Sequence, residues 1–308
     1  MKGAFVLQKA NRMKIYKPIK DRIAPFVFIA PAIMMLIVLS VVPILYSFGL
    51  SLFKYNLAKP ASSIRFYGIQ NYVRIFSNKD FLSAIAWTFS FTAITVVIEL
   101  IMGMILALTL NSSLCQRFSG PFKTLLLIPM MICAVVSATV WKLMFYPIYG
   151  VVNCTLDLIG MQQVSWLNSA VGARAALIIV DIWLTTPFCM LIFHAALKTV
   201  PVDIHEAARI DGANEIQIFF KITLPMIRNF IALVVVVRVS DALRVFDTIL
   251  QLTDGGPGTA TETIGTLLYK RAFHYSNIGE GAAGSFVFFL LICIISSTLF
   301  VILRKKDD

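Results

Sequence analysis

Four charged residues stand at three-residue intervals inside one apolar run: Arg238, Asp241, Arg244 and Asp247, in IALVVVVRVSDALRVFDTILQL. Two further acids, Glu99 and Asp181, also sit among aliphatic and aromatic neighbours. Ionisable groups in lipid-like surroundings are costly unless they pair or face a water-filled cavity, so each is a candidate for handling a polar solute or a proton. Opposite signs three residues apart are helical neighbours and can pair. Steps of three on a 3.6-residue helix rotate by about 60° each, so the four residues spiral, and only a distorted helix brings them all to one path. Two readings stay open. The four line a transport path and touch what passes through it, or they form a self-neutralising ladder that fixes helix packing. A solute with apolar ring faces would also want aromatic surfaces beside the path. Trp183, Phe188 and Phe246 are the candidates, although membrane aromatics equally serve as packing or interface anchors. Glu99 reads as a hydrogen-bonded helix contact. Asp181 reads either as such a contact or as part of a proton relay.

Other chemistry is thinly represented. The five cysteines, Cys115, Cys133, Cys154, Cys189 and Cys293, have no CxxC spacing and read as small packing residues. The three histidines, His194, His205 and His274, are scattered, with no HExxH, so no metal site is expected. There is no GxSxG and no paired-aspartate pattern, which argues against an enzyme. Nor is there a GxxxxGK[ST], so this chain should not bind ATP through a P-loop, and the energy for any pumping comes from elsewhere.

The elements that must position these residues are membrane helices. Of 308 residues, 58% are hydrophobic and 14% charged, with a mean hydropathy of +0.83. A soluble domain of this size carries far more charge. Apolar runs of about twenty residues span a bilayer, and they must be helical because lipid satisfies no free backbone group. Six spans are expected, near 24–53, 82–110, 121–146, 173–197, 225–252 and 282–303, which makes the fold all-α and polytopic. The first apolar run is too long for a signal core and ends in no small-residue cleavage site, so it reads as an uncleaved span. Pro187, after Thr185 and Thr186, is expected to kink the fourth span, the threonines satisfying freed carbonyls.

The net charge of +11 reads as topology, and no nucleic-acid partner is expected. Sixteen basic residues fall on one side: Lys2, Lys9, Arg12, Lys14, Lys17, Lys20, Arg22, Arg117, Lys123, Lys198, Arg209, Lys221, Arg228, Arg304, Lys305 and Lys306. Seven fall on the other: Lys54, Lys59, Arg65, Arg74, Lys79, Lys270 and Arg271. Lys142 and Arg174, which flank spans, bring that side to nine. The positive-inside rule then places both termini in the cytoplasm. The basic tail also suits anionic lipid headgroups.

One cytoplasmic segment is unusual for so apolar a chain: EAARIDGANEIQIFFKITLPMI, Glu206 to Ile227. Pro201 stops the fourth span, and Asp203 is placed to cap a new helix with Glu206 as its capping-box partner. Ala207 and Ala208 keep one surface thin. Gly212 permits a turn, Asn214 can cap a second short helix, and Ile216, Phe219 and Phe220 give it an apolar face. On physical grounds this is either an amphipathic loop lying on the membrane or a lever that receives a push from a partner. The spacing Glu206-Ala207-Ala208, three residues, Gly212, nine residues, Ile222, one residue, Leu224-Pro225 meets every fixed position of EAA-x3-G-x9-I-x-LP. It resembles the EAA loop of permease subunits of binding-protein-dependent ATP-binding-cassette importers. APFVFIAPAIMMLIVLSVVPILYSFGLSLF with GIQNYVRIF, then VFDTILQLTDGGPGTATET and AFHYSNIGEGAAGSFVFFLL, resemble the sugar-type branch, which includes maltose and glycerol-3-phosphate importers.

The resemblance covers about 24–303 and implies a layout: a basic tail over 1–23, a six-span permease domain over 24–303 with its EAA loop at 200–225, and a short tail over 304–308. It implies that Glu206, Ala207, Ala208, Asp211, Gly212, Ile222, Leu224 and Pro225 belong to a helix that docks on a cytoplasmic ATPase. It also implies that ATP and Mg act on two such ATPase subunits, that a second permease completes the path, and that an external solute-binding protein delivers a carbohydrate or polyol-like solute. The loop with Thr253, Gly255, Gly256 and Pro257 would face that protein; on composition alone it is a turn-dense loop. The expected location is the bacterial plasma membrane. A proton-coupled carrier using Asp181, Glu99 and the fifth-span charges is the alternative, but it leaves the EAA spacing unexplained and finds no inverted repeat.

Overall fold

The computed structural model describes residues 19–112 and 119–304. The tail ahead of residue 19, Cys115, Arg117, Lys305 and Lys306 lie outside the described residues. Residues 1–49 and 50–308 form two compact units. The first unit holds one long apolar helix, built from α1 (Ile19–Leu36) and the start of α2 (Val42–Ser51), joined by a π turn at Ile37–Val41. Pro43 has no N–H to give the turn before it, and the ladder widens there.

The second unit begins with an antiparallel pair, β1 (Phe53–Lys54) on β2 (Arg65–Phe66), followed by α3 (Gln70–Phe76). Asn71 fastens this turn by donating its side-chain amide to the carbonyls of Ser51, at 2.7 Å, and Phe53, at 2.9 Å. These two-residue strands are the only β-structure among the described residues, so the all-α expectation holds for the rest.

Two long, unbroken helices form the centre of the unit: α4 (Lys79–Asn111) and α8 (Ala170–Leu197). They approach so closely at Gly103 that a Cβ there would sit 2.6 Å from the Cβ of Cys189. A small residue at the crossing is the usual device for packing membrane helices, where no hydrophobic force draws them together. One apolar cluster, Ala107, Met190, Phe193, Leu197, Ile227 and Val234, fills the end nearer the 200–225 loop. A second, Trp87, Phe91, Phe145, Leu177, Ile249 and Leu252, fills the opposite end.

Among the described residues, four helices are long and apolar enough to cross a membrane: Phe28–Ser51, Lys79–Asn111, Ala170–Leu197 and Ile278–Leu303. The other two expected spans are broken. The third is α5 (Ser119–Met131) and α6 (Ala134–Met144), bent by 96°. Pro129 lies inside α5, and Cys133 takes an extended conformation before α6. The short helix α7 (Val151–Leu158) then leads toward α8. The fifth span comes as α12 (Arg228–Leu243) and α13 (Asp247–Leu252), interrupted at Arg244–Phe246. The helix through residue 252 expected from the sequence is thus corrected to two pieces. After α13 the chain runs through α14 (Ile264–Tyr269), a π turn at Lys270–His274 and α15 (Ile278–Arg304). Helix α8 passes through Pro187 without a break. The Thr185 hydroxyl reaches the Asp181 carbonyl at 2.6 Å, not the carbonyl of Trp183 that Pro187 leaves free, and Thr186 Oγ1 is buried with no partner.

Candidate coupling loop and buried ionic cluster

The 200–225 loop is two short helices on a glycine turn. Helix α9 (Val202–Ile210) begins at Pro201, which occupies the N-cap with no side-chain bond. The expected Asp203 cap is therefore corrected: extended Pro201 starts the helix early and leaves Asp203 inside the first turn, where its charge still suits the positive helix end. The helix stops in a Schellman pattern. The Gly212 N–H donates to the Arg209 carbonyl, and the Ala213 N–H to the Ala208 carbonyl. Gly212 has φ +83, a left-handed value that other L-residues adopt at a cost. Asn214 then caps α10 (Glu215–Ile218) through a complete capping box with Gln217, at 2.8 and 3.0 Å, as the sequence suggested.

Two side-chain ties brace the turn. Arg209 Nε donates to Glu215 Oε1 at 2.8 Å across Gly212. That hydrogen bond holds the Glu215 carboxyl below its usual range and raises Arg209. His205 Nε2 lies 3.1 Å from Thr223 Oγ1, joining α9 to the π turn at Phe219–Thr223. A three-residue turn, α11 (Leu224–Met226), precedes a 70° bend at the buried Ile227, and α12 follows. Ile222 and Leu224 are half-buried and Pro225 is exposed, all on the stretch leading into that bend.

The two alanines separate. Ala208 is buried against its own chain, whereas Ala207 is exposed beside Glu206, Asp211 and Gly212. Of the expected apolar face, Ile216 and Phe220 are exposed by 71% and 61% and Phe219 is half-buried. Ile210, 86% exposed, joins them from α9. The loop therefore exposes apolar side chains on both sides of a hydrogen-bonded turn.

Inside the helix bundle the charges pair across helices as well as along one. Arg238 points its guanidinium at α4: Nε donates to Glu99 Oε2 at 2.7 Å and Nη2 to Glu99 Oε1 at 3.2 Å. Asp181 Oδ2, on α8, lies 3.6 Å from the same Nη2 and has no hydrogen bond of its own. The Thr185 hydroxyl is 2.7 Å from Glu99 Oε1. Glu99 is wholly buried, and Asp181 and Arg238 nearly so. Asp241 and Arg244 are exposed and pair at 2.8 Å, with Asp241 also 3.9 Å from Arg238 Nη1. Asp247 is exposed and begins α13, beyond the break. Of the two readings left open for Arg238, Asp241, Arg244 and Asp247, the first three residues make the contacts of a ladder along α12, but Arg238 pairs more closely across helices and Asp247 lies beyond the helix end. Glu99 is a helix contact, as read from the sequence, but the contact is an ion pair. The readable signal was an intramembrane arginine and an intramembrane acid on separate spans, each needing a partner.

The aromatic candidates diverge. Phe188 packs into the apolar cluster near the 200–225 loop. Phe246, at the start of α13, meets Tyr269 edge-on at 5.2 Å. Trp183 is 36% exposed and meets Trp141 edge-on at 5.6 Å. At the end opposite the 200–225 loop, Thr253 and Thr261 share a hydrogen bond at 2.9 Å, and Thr261 donates to the Gly256 carbonyl at 2.7 Å. Lys270 Nζ donates to the Asp254 carbonyl at 2.6 Å and pairs with Glu262, holding the glycine-rich turn of Gly255, Gly256 and Pro257 against the helix ends. A cavity of about 470 Å³ lies beside it, lined by Asp80, Glu262, Lys270, Arg271 and Tyr275 among others. Cys133, Cys154, Cys189 and Cys293 are free thiols, and no metal-holding cluster occurs among the described residues.

Residues 99–306 match the family model described as binding-protein-dependent transport system inner membrane component. The chain is 36% identical to the trehalose/maltose transport system permease protein MalF of Thermococcus litoralis, over 91% of this chain and 92% of the relative. It is 33% identical to the trehalose transport system permease protein SugA of Mycobacterium tuberculosis, over 90% of this chain and 87% of that one. Among solved structures it resembles, at a TM-score of 0.81 and 24% identity, a chain of a bacterial ABC transporter involved in the import of the acidic polysaccharide alginate. That match covers 93% of this chain and 97% of the other, and is a likeness of fold.

Proposed function

We infer the role of this chain from its kinship: it belongs to the family of inner membrane components of binding-protein-dependent transport systems, and it is the permease subunit of an ABC importer. It is a multi-pass membrane transport component and not an enzyme. That membership overturns the proton-coupled reading of Asp181, Glu99 and the fifth-span charges.

The finer reading is ours. The chain supplies half of a translocation path for a carbohydrate, and a disaccharide or short oligosaccharide is the substrate class. The names of several relatives, which are trehalose/maltose, trehalose and arabinooligosaccharide permeases, support that class. A second permease supplies the other half. Two cytoplasmic ATPase subunits bind ATP and Mg, an external solute-binding protein delivers the sugar, and both termini lie in the cytoplasm. Glu206, Ala207, Asp211 and Gly212 sit on the surface that meets the ATPase, while Ala208, Ile222, Leu224 and Pro225 tie that surface to α12. The single observation that carries the reading is the loop itself: a Schellman turn and a capping box hold Ile210, Ile216 and Phe220 exposed on a rigid support. An exposed apolar patch marks a protein contact.

The test is purification of the tagged chain in mild detergent, with mass spectrometry of what accompanies it, and uptake of labelled trehalose or maltose into proteoliposomes. A P-loop ATPase and a second six-span permease should copurify, the ATPase should be lost on Gly212→Leu, and uptake should need ATP. Recovery of the chain alone, accumulating sugar without ATP, sinks the reading.

A further inference from the structure

We propose that Arg238 is a positioning residue which clasps α4, α8 and α12 into one body and delivers the movement of the 200–225 loop to the helix break at Arg244–Phe246. The proposal rests on the importer reading above.

Both ends of the loop run to this one guanidinium. On one side α12 leaves the bend at Ile227, and Arg238 stands roughly 16 Å farther along at helical rise. On the other side α8 ends at Leu197, and Asp181 lies about 24 Å back from it. Arg238 bridges them, with Nη2 3.6 Å from Asp181, while its Nε and Nη2 fork onto Glu99 of α4. Apolar contacts between these helices are non-directional and would permit sliding. A forked guanidinium–carboxylate pair is directional and fixes register, and a buried one cannot be relaxed by water. From the buried fork the charges continue outward: Arg238 Nη1 to Asp241 at 3.9 Å, then Asp241 to Arg244 at 2.8 Å. Arg244 caps the end of α12, where the chain turns into α13. Displacement of the loop therefore reaches the break with no slack in three helices, and the break is where it can become a change of direction.

The test reads movement at the far side of the break, in the whole complex. Asp247, exposed and first in α13, is replaced by cysteine in a background whose native cysteines are serine, and labelled with a membrane-impermeant maleimide. Labelling is compared without nucleotide and with ATP, Mg and vanadate. The parent should change its labelling rate about tenfold between the two conditions, the size of an ordinary coupling free energy. Arg238→Gln should abolish the change. Because that variant leaves both Glu99 and Asp181 buried without their counter-charge, the triple variant Arg238→Gln with Glu99→Gln and Asp181→Asn is the decisive one. It removes all three buried charges and leaves neutral hydrogen-bonding side chains, and the nucleotide response should still be absent while the ATPase copurifies. A restored response in the triple variant overturns the clasp and leaves only packing. A parent that copurifies no ATPase and ignores nucleotide overturns the importer reading, and the clasp with it.

Discussion

At the scale of single residues, the buried fork of Arg238 on Glu99 sets the terms. Removing the cation of a buried cluster leaves bare carboxylates, here Glu99 and Asp181, so Arg238→Met should destabilise the protein by about 3–5 kcal/mol. Arg238→Met combined with Glu99→Leu and Asp181→Leu should recover most of that loss, since well-packed apolar side chains of like volume are often no worse. Thermal unfolding of the detergent-solubilised protein decides it: a triple variant as weak as the single one would show that the cluster contributes specific stability. The sequence announced both charges as anomalous but not their partnership. Glu99 and Arg238 are 139 positions apart, and the three-residue spacing in the fifth span offered a nearer, cheaper pairing. Long-range partners are fixed by helix crossings, here by the close approach at Gly103, and a periodic pattern on one helix carries no information about them. Gly103→Val tests that approach. Its side chain would collide with the Cys189 Cβ and the Met190 backbone, and overpacking of this kind costs about 1–3 kcal/mol. A lower unfolding temperature should follow, and an unchanged one would mean that α4 and α8 can separate freely.

At the scale of elements, the 200–225 loop was the most legible part of the chain because its signals are local. A glycine for a left-handed turn and an asparagine three residues before a glutamine need no distant partner to act. Asn214→Ala should cost about 1 kcal/mol and fray α10, which hydrogen exchange at residues 214–219 would register as faster exchange. The Arg209–Glu215 tie adds a pH dependence. The Glu215 pKa is lowered in the folded loop, so its stabilisation is present above the ordinary carboxylate pKa and is lost as pH falls through the lowered value. A spin label at Ala213→Cys should thus keep a broad line at neutral pH and narrow only in the acid range below that of free glutamate. Narrowing at pH 6 would exclude Glu215 as the cause. The spans were legible as spans, but their breaks were not. Hydropathy sums over about twenty residues and cannot tell a straight helix from α5 bent 96° onto α6. Pro129 lies inside the bent piece, yet the comparable Pro187 leaves α8 unbroken, so the residue type alone does not decide.

At the scale of the whole molecule, orientation is the property on which the rest depends. The sequence reading assigns sixteen basic residues to the side of the 200–225 loop and seven to the other, a bias that insertion reads from short flanking segments. The fold adds an independent constraint, because α8 and α12 carry the loop at one end and the glycine-rich turn near Gly255 at the other. One side can therefore be inferred from the other. In sealed, right-side-out vesicles stripped of native cysteines, Asn214→Cys should resist an impermeant maleimide until the membrane is opened. Thr259→Cys should react at once. Reversed accessibility would put the loop outside, beyond the reach of any cytoplasmic ATPase, and both the coupling role and the Arg238 clasp would fail together. Equal reactivity at both sites would mean that the chain inserts in two orientations. The charge bias would then be too weak to hold the topology, and the basic tail ahead of the first helix would be the place to strengthen it.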